Sequence, residues 1–172
     1  MPEAAEFAWR ALLIGGGAKL AMDAWTVART RLPGVPSLDY ALVGRWLGHM
    51  PKRRFRHDPI GASLPVRGER ALGWAFHYAT GVAFAAVLLA LWGLEWARLP
   101  TLAPALVVGL GSVAAPFLVM QPALGAGVAA SRTPRPGAAR LQSLLTHGLF
   151  GLGLYVSGWA TRGCASCAGS IP

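Results

Sequence analysis

Four separate runs of apolar residues, each near the length needed to cross a bilayer, take up about half of this 172-residue chain. They extend over residues 7–27, 72–92, 102–120 and 141–159. About 20 predominantly apolar residues of α-helix cross the hydrocarbon core of a bilayer, and all four runs are close to that. The pattern predicts an all-α fold, a polytopic membrane protein with four transmembrane helices in one bundle. What remains is a long loop over residues 28–71, a short connection, a third loop over 124–140 and an outer tail over 160–172. None of these is long enough for a second hydrophobic core, so residues 1–172 read as a single membrane domain.

Only 13% of the residues are charged, yet the net charge is +9. In a soluble protein that excess would point to nucleic acid. Here its distribution gives a different reading, with no nucleic-acid partner. Loop 28–71 carries nine basic residues against three acidic ones, and loop 124–140 adds Arg132, Arg135 and Arg140 with no acid. Both lie on the same side of a four-span chain. Cytoplasmic loops of membrane proteins collect Lys and Arg, which predicts these two loops in the cytoplasm and both termini outside. The first run is not read as a cleaved signal peptide: its leading Glu3 and Glu6 are acidic and Lys19 and Asp23 interrupt it.

Glycines in runs one, three and four are expected to let helix backbones approach, because lipid gives apolar side chains no reason to prefer one another. Pro104 falls in the first turn of run three, where it is tolerated, whereas Pro116 lies deep inside and should kink the helix. Within loop 28–71, Ser37 is a plausible N-cap with Asp39 in the first turn, and Leu38, Ala41, Leu42 and Trp46 follow at helical spacing until Pro51. The cations Lys52, Arg53, Arg54 and Arg56 come next. Such a cluster suits anionic lipid headgroups, at about 1 kcal/mol per basic residue near the surface, or serves only to set topology.

Ionisable residues inside a span are functional suspects by default. At about 1.5 Å rise per residue, Asp23 lies about 6 Å and Lys19 about 12 Å in from the cytoplasmic end of run one, with His77 and His147 each about 9 Å into runs two and four. Gln121 ends run three on the same side. These five residues, from four helices, are expected to share one layer and to form a ligand or proton pathway. Lys19 and Asp23 are four apart, hence on one helix face and able to pair. A faint repeat at an offset of 70 residues aligns Arg70, His77 and Gly81 with Arg140, His147 and Gly151.

Three chemistries fit such a layer. The leading one is small-solute, ion or proton-linked transport, with Asp23, His77 and His147 exchanging protons. A second holds a small polar ligand or lipid headgroup. The third is b-type haem between His77 and His147, with nearby glycines making room for the ring. The alternative to all three is a structural or lipid-associated component whose buried charges only orient helices. Cys164 and Cys167 form C-x-x-C in the tail, compatible with a disulfide or soft-metal capture, although an unordered tail is the simpler reading. No phosphate-cradling loop, nucleophile elbow or metalloprotease helix is present, so an enzyme is not expected. Beyond lipids, a homo-oligomer or a membrane-protein partner is compatible with the sequence.

The stretches GGGAKLAMDAW, GVPSLDYALVGRWLGHM, ALGWAFHYATGVAFA, APFLVMQPALGAGVAASRTP and RLQSLLTHGLFGLGLY resemble a family of small bacterial inner-membrane proteins, domain of unknown function 2938. The resemblance covers the chain from Ala8 to Tyr155 and leaves out the cysteine tail. It implies a bacterial inner-membrane location and a four-span architecture. It supplies no activity, cofactor or catalytic residue.

Overall fold

A helix that begins with Glu3 and Glu6 in its first turn has its amino-terminal dipole compensated, and α1 (Glu3–Thr30) starts there. The computed structural model describes residues 2–30 and 39–162. The suggested Ser37 cap and the Cys164–Cys167 motif lie outside them. After α1 come α2 (Tyr40–His49), α3 (Glu69–Arg98), α4 (Leu102–Gly111), a five-residue π-helical stretch Pro116–Met120 running into the short α5 (Gln121–Ala123), and α6 (Pro136–Thr161). The described residues are all-helical, with no strand among them. α1 packs against both α3 and α6, α6 also packs against α4, and α2 lies along α3.

Helix ends depart from the apolar runs for local reasons. α2 is capped by Asp39 itself, whose carboxylate accepts the Ala41 N–H at 2.9 Å, rather than by a residue before it. α3 does not stop at Trp92. Gly93, at φ 73°, breaks the helix, which then resumes to Arg98, and the indole of Trp96 donates to the Thr101 carbonyl at 3.1 Å. Pro116 acts as expected of a residue without an N–H. α4 ends at Gly111, the Ser112 carbonyl is taken by the Ala115 N–H, and the chain re-enters a helix as a wider π turn.

Two contacts show why small residues sit where they do. A Cβ on Gly15 would come 2.5 Å from the Gly81 carbonyl oxygen, and one on Gly109 would collide with the backbone of Gly151. α1–α3 and α4–α6 are therefore in backbone contact. Between them lies a closely packed core with Ile14, Ala18, Ala85, Leu88, Leu89 and Leu154 almost or fully inaccessible.

The outward faces are apolar too. Leu12 and Leu20 on α1, Leu91 on α3, Val107 on α4, and Leu145 and Val156 on α6 are all exposed. Two segments, α3 and Leu102–Ala123, are long and apolar enough to cross a membrane. α1 interrupts its apolar run with Arg10, Lys19 and Asp23, and α6 dilutes its own with Gln142, Ser143 and His147. By length and hydropathy alone, two helices meet the condition where the apolar runs suggested four.

Candidate functional site

Asp23 sits one turn after Lys19 on α1, where that helix crosses the first half of α3. Its Oδ1 accepts from His77 Nε2 at 3.0 Å and its Oδ2 accepts from the Tyr78 hydroxyl at 2.9 Å. A carboxylate only accepts, so His77 carries its proton on Nε2. Both oxygens of Asp23 are thus held by α3. The Tyr40 hydroxyl of α2 stands 3.5 Å from the same imidazole nitrogen. Its ring lies 4.4 Å from that of His77 and 4.6 Å from that of Trp74. Burial raises the Tyr40 phenol above its ordinary range. Side-chain exposure is 4% for His77 and 18% for Asp23, which makes the carboxylate the reachable edge and the imidazole the interior.

α2 can lie this close because two glycines face each other across it. A Cβ on Gly44 would collide with the Glu69 carbonyl, and one on Gly73 with the Tyr40 carbonyl. The helix is then clamped at its other side by Arg45, whose Nε and Nη2 bind the two oxygens of Glu69 at 2.9 and 2.8 Å. That pairing, with the Val66 N–H also donating, holds the Glu69 carboxyl down to about 2.

The expected Lys19–Asp23 pair is not formed. Lys19 is buried, at 7% exposure, and its Cγ fills the slot left by the absent side chain of Gly81. Its ammonium is directed inward, 4.8 Å over the Phe150 ring of α6, and among the described residues it has no ion pair. Spacing of four on an isolated helix favours pairing, but α3 supplies Asp23 with better-placed neutral donors and gives Lys19 a groove leading elsewhere.

His147 and Gln121 do not join Asp23 either. His147 faces α4, with Nδ1 2.7 Å from Ser112 Oγ, while the Ser112 hydroxyl donates to the Gly109 carbonyl at 2.6 Å. Since that serine has spent its one proton, His147 donates from Nδ1–H and keeps a lone pair on Nε2. Gln121 Nε2 lies 3.5 Å from Ser143 Oγ, and its Oε1 is buried without a partner. The five residues therefore form three groups, with Lys19 between them and within electrostatic reach of Asp23, His77 and His147. Haem does not fit this arrangement. His77 is turned to Asp23 of α1 and His147 to Ser112 of α4, so the two imidazoles do not face one site, and Gly73, Gly81 and Gly151 are filled by neighbouring backbone or, at Gly81, also by the Lys19 stem.

Lys52, Arg53, Arg54 and Arg56 are all exposed, and none forms an ion pair among the described residues. Phe55 among them is exposed as well, while its carbonyl accepts from the Trp46 indole at 2.9 Å.

Sequence reasoning missed Tyr40, Tyr78 and Ser112. Tyr78 adjoins His77, and neighbouring helix positions point about 100° apart, but both reach one carboxylate because Asp23 lies at the helix crossing. It also missed the fully buried Arg10. This guanidinium binds Glu6 at 2.9 Å and the Ala97 carbonyl at 3.2 Å, and Glu6 is shared with Arg98. A basic residue one turn after a glutamate near a helix start was the available signal.

A family profile described as "Protein of unknown function (DUF2938)" matches residues 12–161. No curated protein and no solved structure matches the chain. The chain belongs to that uncharacterised family.

Proposed function

We propose that this family member is a four-span integral membrane protein, with α1, α3, Leu102–Ala123 and α6 as the spans. In this reading loops 28–71 and 124–140 lie in the bacterial cytoplasm and both termini lie outside. Its proposed role is proton-linked movement of a small solute or ion, worked from the cytoplasmic side through Asp23 and His77. Support for four spans comes from the exposed leucines and valines on all four helices, a surface that suits lipid and not water. Support for the sidedness comes from the basic loops. Anionic headgroups are the natural partner of Lys52, Arg53, Arg54 and Arg56.

The observation that carries the role is the Asp23–His77–Tyr78 cluster, in which an ionisable pair from two helices is partly open on one side. Asp23 and His77 share a hydrogen-bonded proton, and Lys19, which touches no anion, stands one turn deeper to hold a counter-charge to Asp23. Beyond Lys19 the layer of Ile14, Leu88, Leu89 and Leu154 closes the interior. Passage would require that layer to part, as in a gated cycle and unlike an open pore.

The test is proton uptake into proteoliposomes under an imposed pH gradient, read with an entrapped dye. Uptake above empty vesicles that falls to background in Asp23→Asn and His77→Gln is expected. Wild-type uptake equal to that of empty vesicles would remove the transport role. The second reading, a structural membrane component, is favoured by the tight glycine contacts around the cluster. The groove of about 580 Å³ lies instead at the opposite end, beside Glu3, Phe7, Leu89 and Leu94.

A further inference from the structure

Two histidines outside that cluster are among the most buried polar groups of the described residues. His49 ends α2 and His57 lies in the following segment. Each is 6% exposed, and their rings meet edge to face with centroids 5.1 Å apart. Each spends one nitrogen on holding the chain. His49 Nε2–H donates to the Leu64 carbonyl at 3.0 Å, and His57 Nδ1 is hydrogen-bonded to the Ser63 hydroxyl at 2.8 Å. The other nitrogen of each, His49 Nδ1 and His57 Nε2, is buried without a partner.

The backbone around this pair forms a joint between distant parts of the chain. The His57 N–H donates to the Ala123 carbonyl at 2.9 Å and the Ile60 N–H to the Leu124 carbonyl at 3.1 Å. Gly125, at φ 93°, lets the segment pass, since a Cβ there would come 2.8 Å from the His57 carbonyl oxygen. Val43, Trp46, Ile60 and Ala123 pack into a small core of their own at the same place. The loop is thus fastened to the end of the third apolar segment, and through α2 it is fastened over Tyr40, Trp74 and His77.

We propose that His57, packed edge to face on His49, forms an acid-released latch, which holds loop residues 53–66 and, through them, α2 over the Asp23–His77 cluster while its ring is neutral and lets them go when that ring takes up a proton. The proposal rests on the reading of that cluster as functional and adds its regulation. A proton on His57 puts a charge on a ring only 6% exposed, beside a second imidazole and an arginine, with one backbone acceptor at Arg54 to set against the lost solvation. The charged groups that face the pair do not rescue it. Arg54, on the same loop, is a like charge. Glu69, on α3, acts on His49 from a carboxylate whose two oxygens are already bound by Arg45 of α2. α5 and the π-helical stretch contribute the Ala123 carbonyl and apolar side chains. Asp58 beside the pair is exposed and bound to Arg132.

The direction of the effect follows from His57. Burial is the largest cause and holds the imidazole below its usual 6.5; a hydrogen bond to the Arg54 backbone opposes it in part, and the neighbouring His49 and Arg54 side chains add to the lowering. A histidine with a lowered folded value is protonated more readily when released. The docked state is therefore at full strength above about pH 6.5 and loses stability as the pH falls below it.

The test uses the full chain in lipid nanodiscs, with Cys164 and Cys167 replaced by Ser and spin labels on Gly61→Cys and Gly137→Cys. Both glycines are exposed and have open space where a Cβ would stand. The label-to-label distance should be short and narrow at pH 7.5. At pH 5.5 a longer population should appear, with its ratio to the short one rising up to about tenfold per pH unit below 6.5. His57→Asn should stay docked at both pH values, and His49→Gln, which keeps a donor toward Leu64, should blunt the change. Identical distributions at the two pH values would overturn the latch, as would an undiminished shift in His49→Gln. The distances need no transported species. Absent proton flux with a working latch removes the transport reading alone, and active flux with pH-independent distances removes the latch alone.

Discussion

The two ends of α1 both bury charge, and they do it in opposite ways. At the amino-terminal end Arg10 is wholly buried but answered on its own terms, by Glu6 one turn before it, by the Ala97 carbonyl, and by Arg98 joining from α3. Toward the other end Lys19 is almost as buried and touches no anion, feeling Asp23 only at longer range, while Asp23 is held by the neutral donors His77 and Tyr78. The first arrangement spends its charges on one another and leaves little to titrate. The second keeps a cation and a proton-sharing pair available. A buried ion pair is weak grounds for function and good grounds for fixed geometry. A buried charge left without a counter-ion is the reverse, because only a role in binding or proton movement repays its cost.

The largest effect expected from breaking this contrast is at Arg10. Arg10→Met keeps the length and apolar stem of the side chain but removes the bonds to Glu6 and Ala97. It should destabilise the protein by about 3 kcal/mol, measured as reversible unfolding in mixed micelles. Proton uptake in the folded fraction should be unaltered. A loss of uptake at full stability would mean that the two ends are not separate in role.

Next in size is the coupling between Asp23 and His77. Asp23→Asn and His77→Gln should each cost stability, and the pair together less than their sum, with a coupling of about 1 kcal/mol after allowance for the partial exposure of Asp23. Asp23→Asn with Lys19→Met should show a smaller coupling, because these two charges act on each other without contact. Coupling of Asp23 to Lys19 in place of His77 would restore the pairing that their spacing suggests and contradict the geometry.

That reversal marks where the sequence was legible. The helices followed from runs of apolar residues, since a length near 20 admits few other folds, and even the break at Gly93 falls at the edge of its run. Asp23, Lys19 and His77 stood out for being ionisable in apolar surroundings. Their partners did not, because pairing was decided by α3 crossing α1 at Gly15 and Gly81, a relation between residues 66 positions apart. Tyr40, His49 and His57 were illegible for a similar reason. Tyr40 is covered by Trp74 and His77 of α3, and the burial of His49 and His57 depends on a loop held by backbone bonds from His57 and Ile60 to Ala123 and Leu124, and no periodicity records such contacts.

Acid should release the inner end in two stages. The upper stage begins near pH 6.5, where the lowered His57 starts to favour the undocked loop. The lower stage belongs to Glu69. Its carboxyl is held at about 2 against an ordinary value of 4.5, so its contribution is complete above about 4.5 and is lost as the pH falls toward 2. Spin-label distances between α2 and α3 should therefore change twice on titration. In Glu69→Gln the lower step should vanish and the upper remain. A single step below pH 4.5 would leave His57 with no part in it.

The smallest expected change in stability is also the most discriminating. Lys19→Met replaces a buried cation that makes no contact ion pair by an apolar chain of similar length, lying over the same Gly81 and toward the same Phe150. Removing a buried charge whose desolvation outweighs the distant pull of Asp23 should stabilise the variant by about 1 kcal/mol, where the same replacement at Arg10 loses stability. Proton uptake, in contrast, should fall sharply, because the counter-charge beside His77 and His147 is gone. Stability gained while activity is lost is the mark of a residue retained for function. If Lys19→Met were destabilising by as much as Arg10→Met, with uptake unchanged, Lys19 would be a packing residue and the two ends of α1 would differ in degree only.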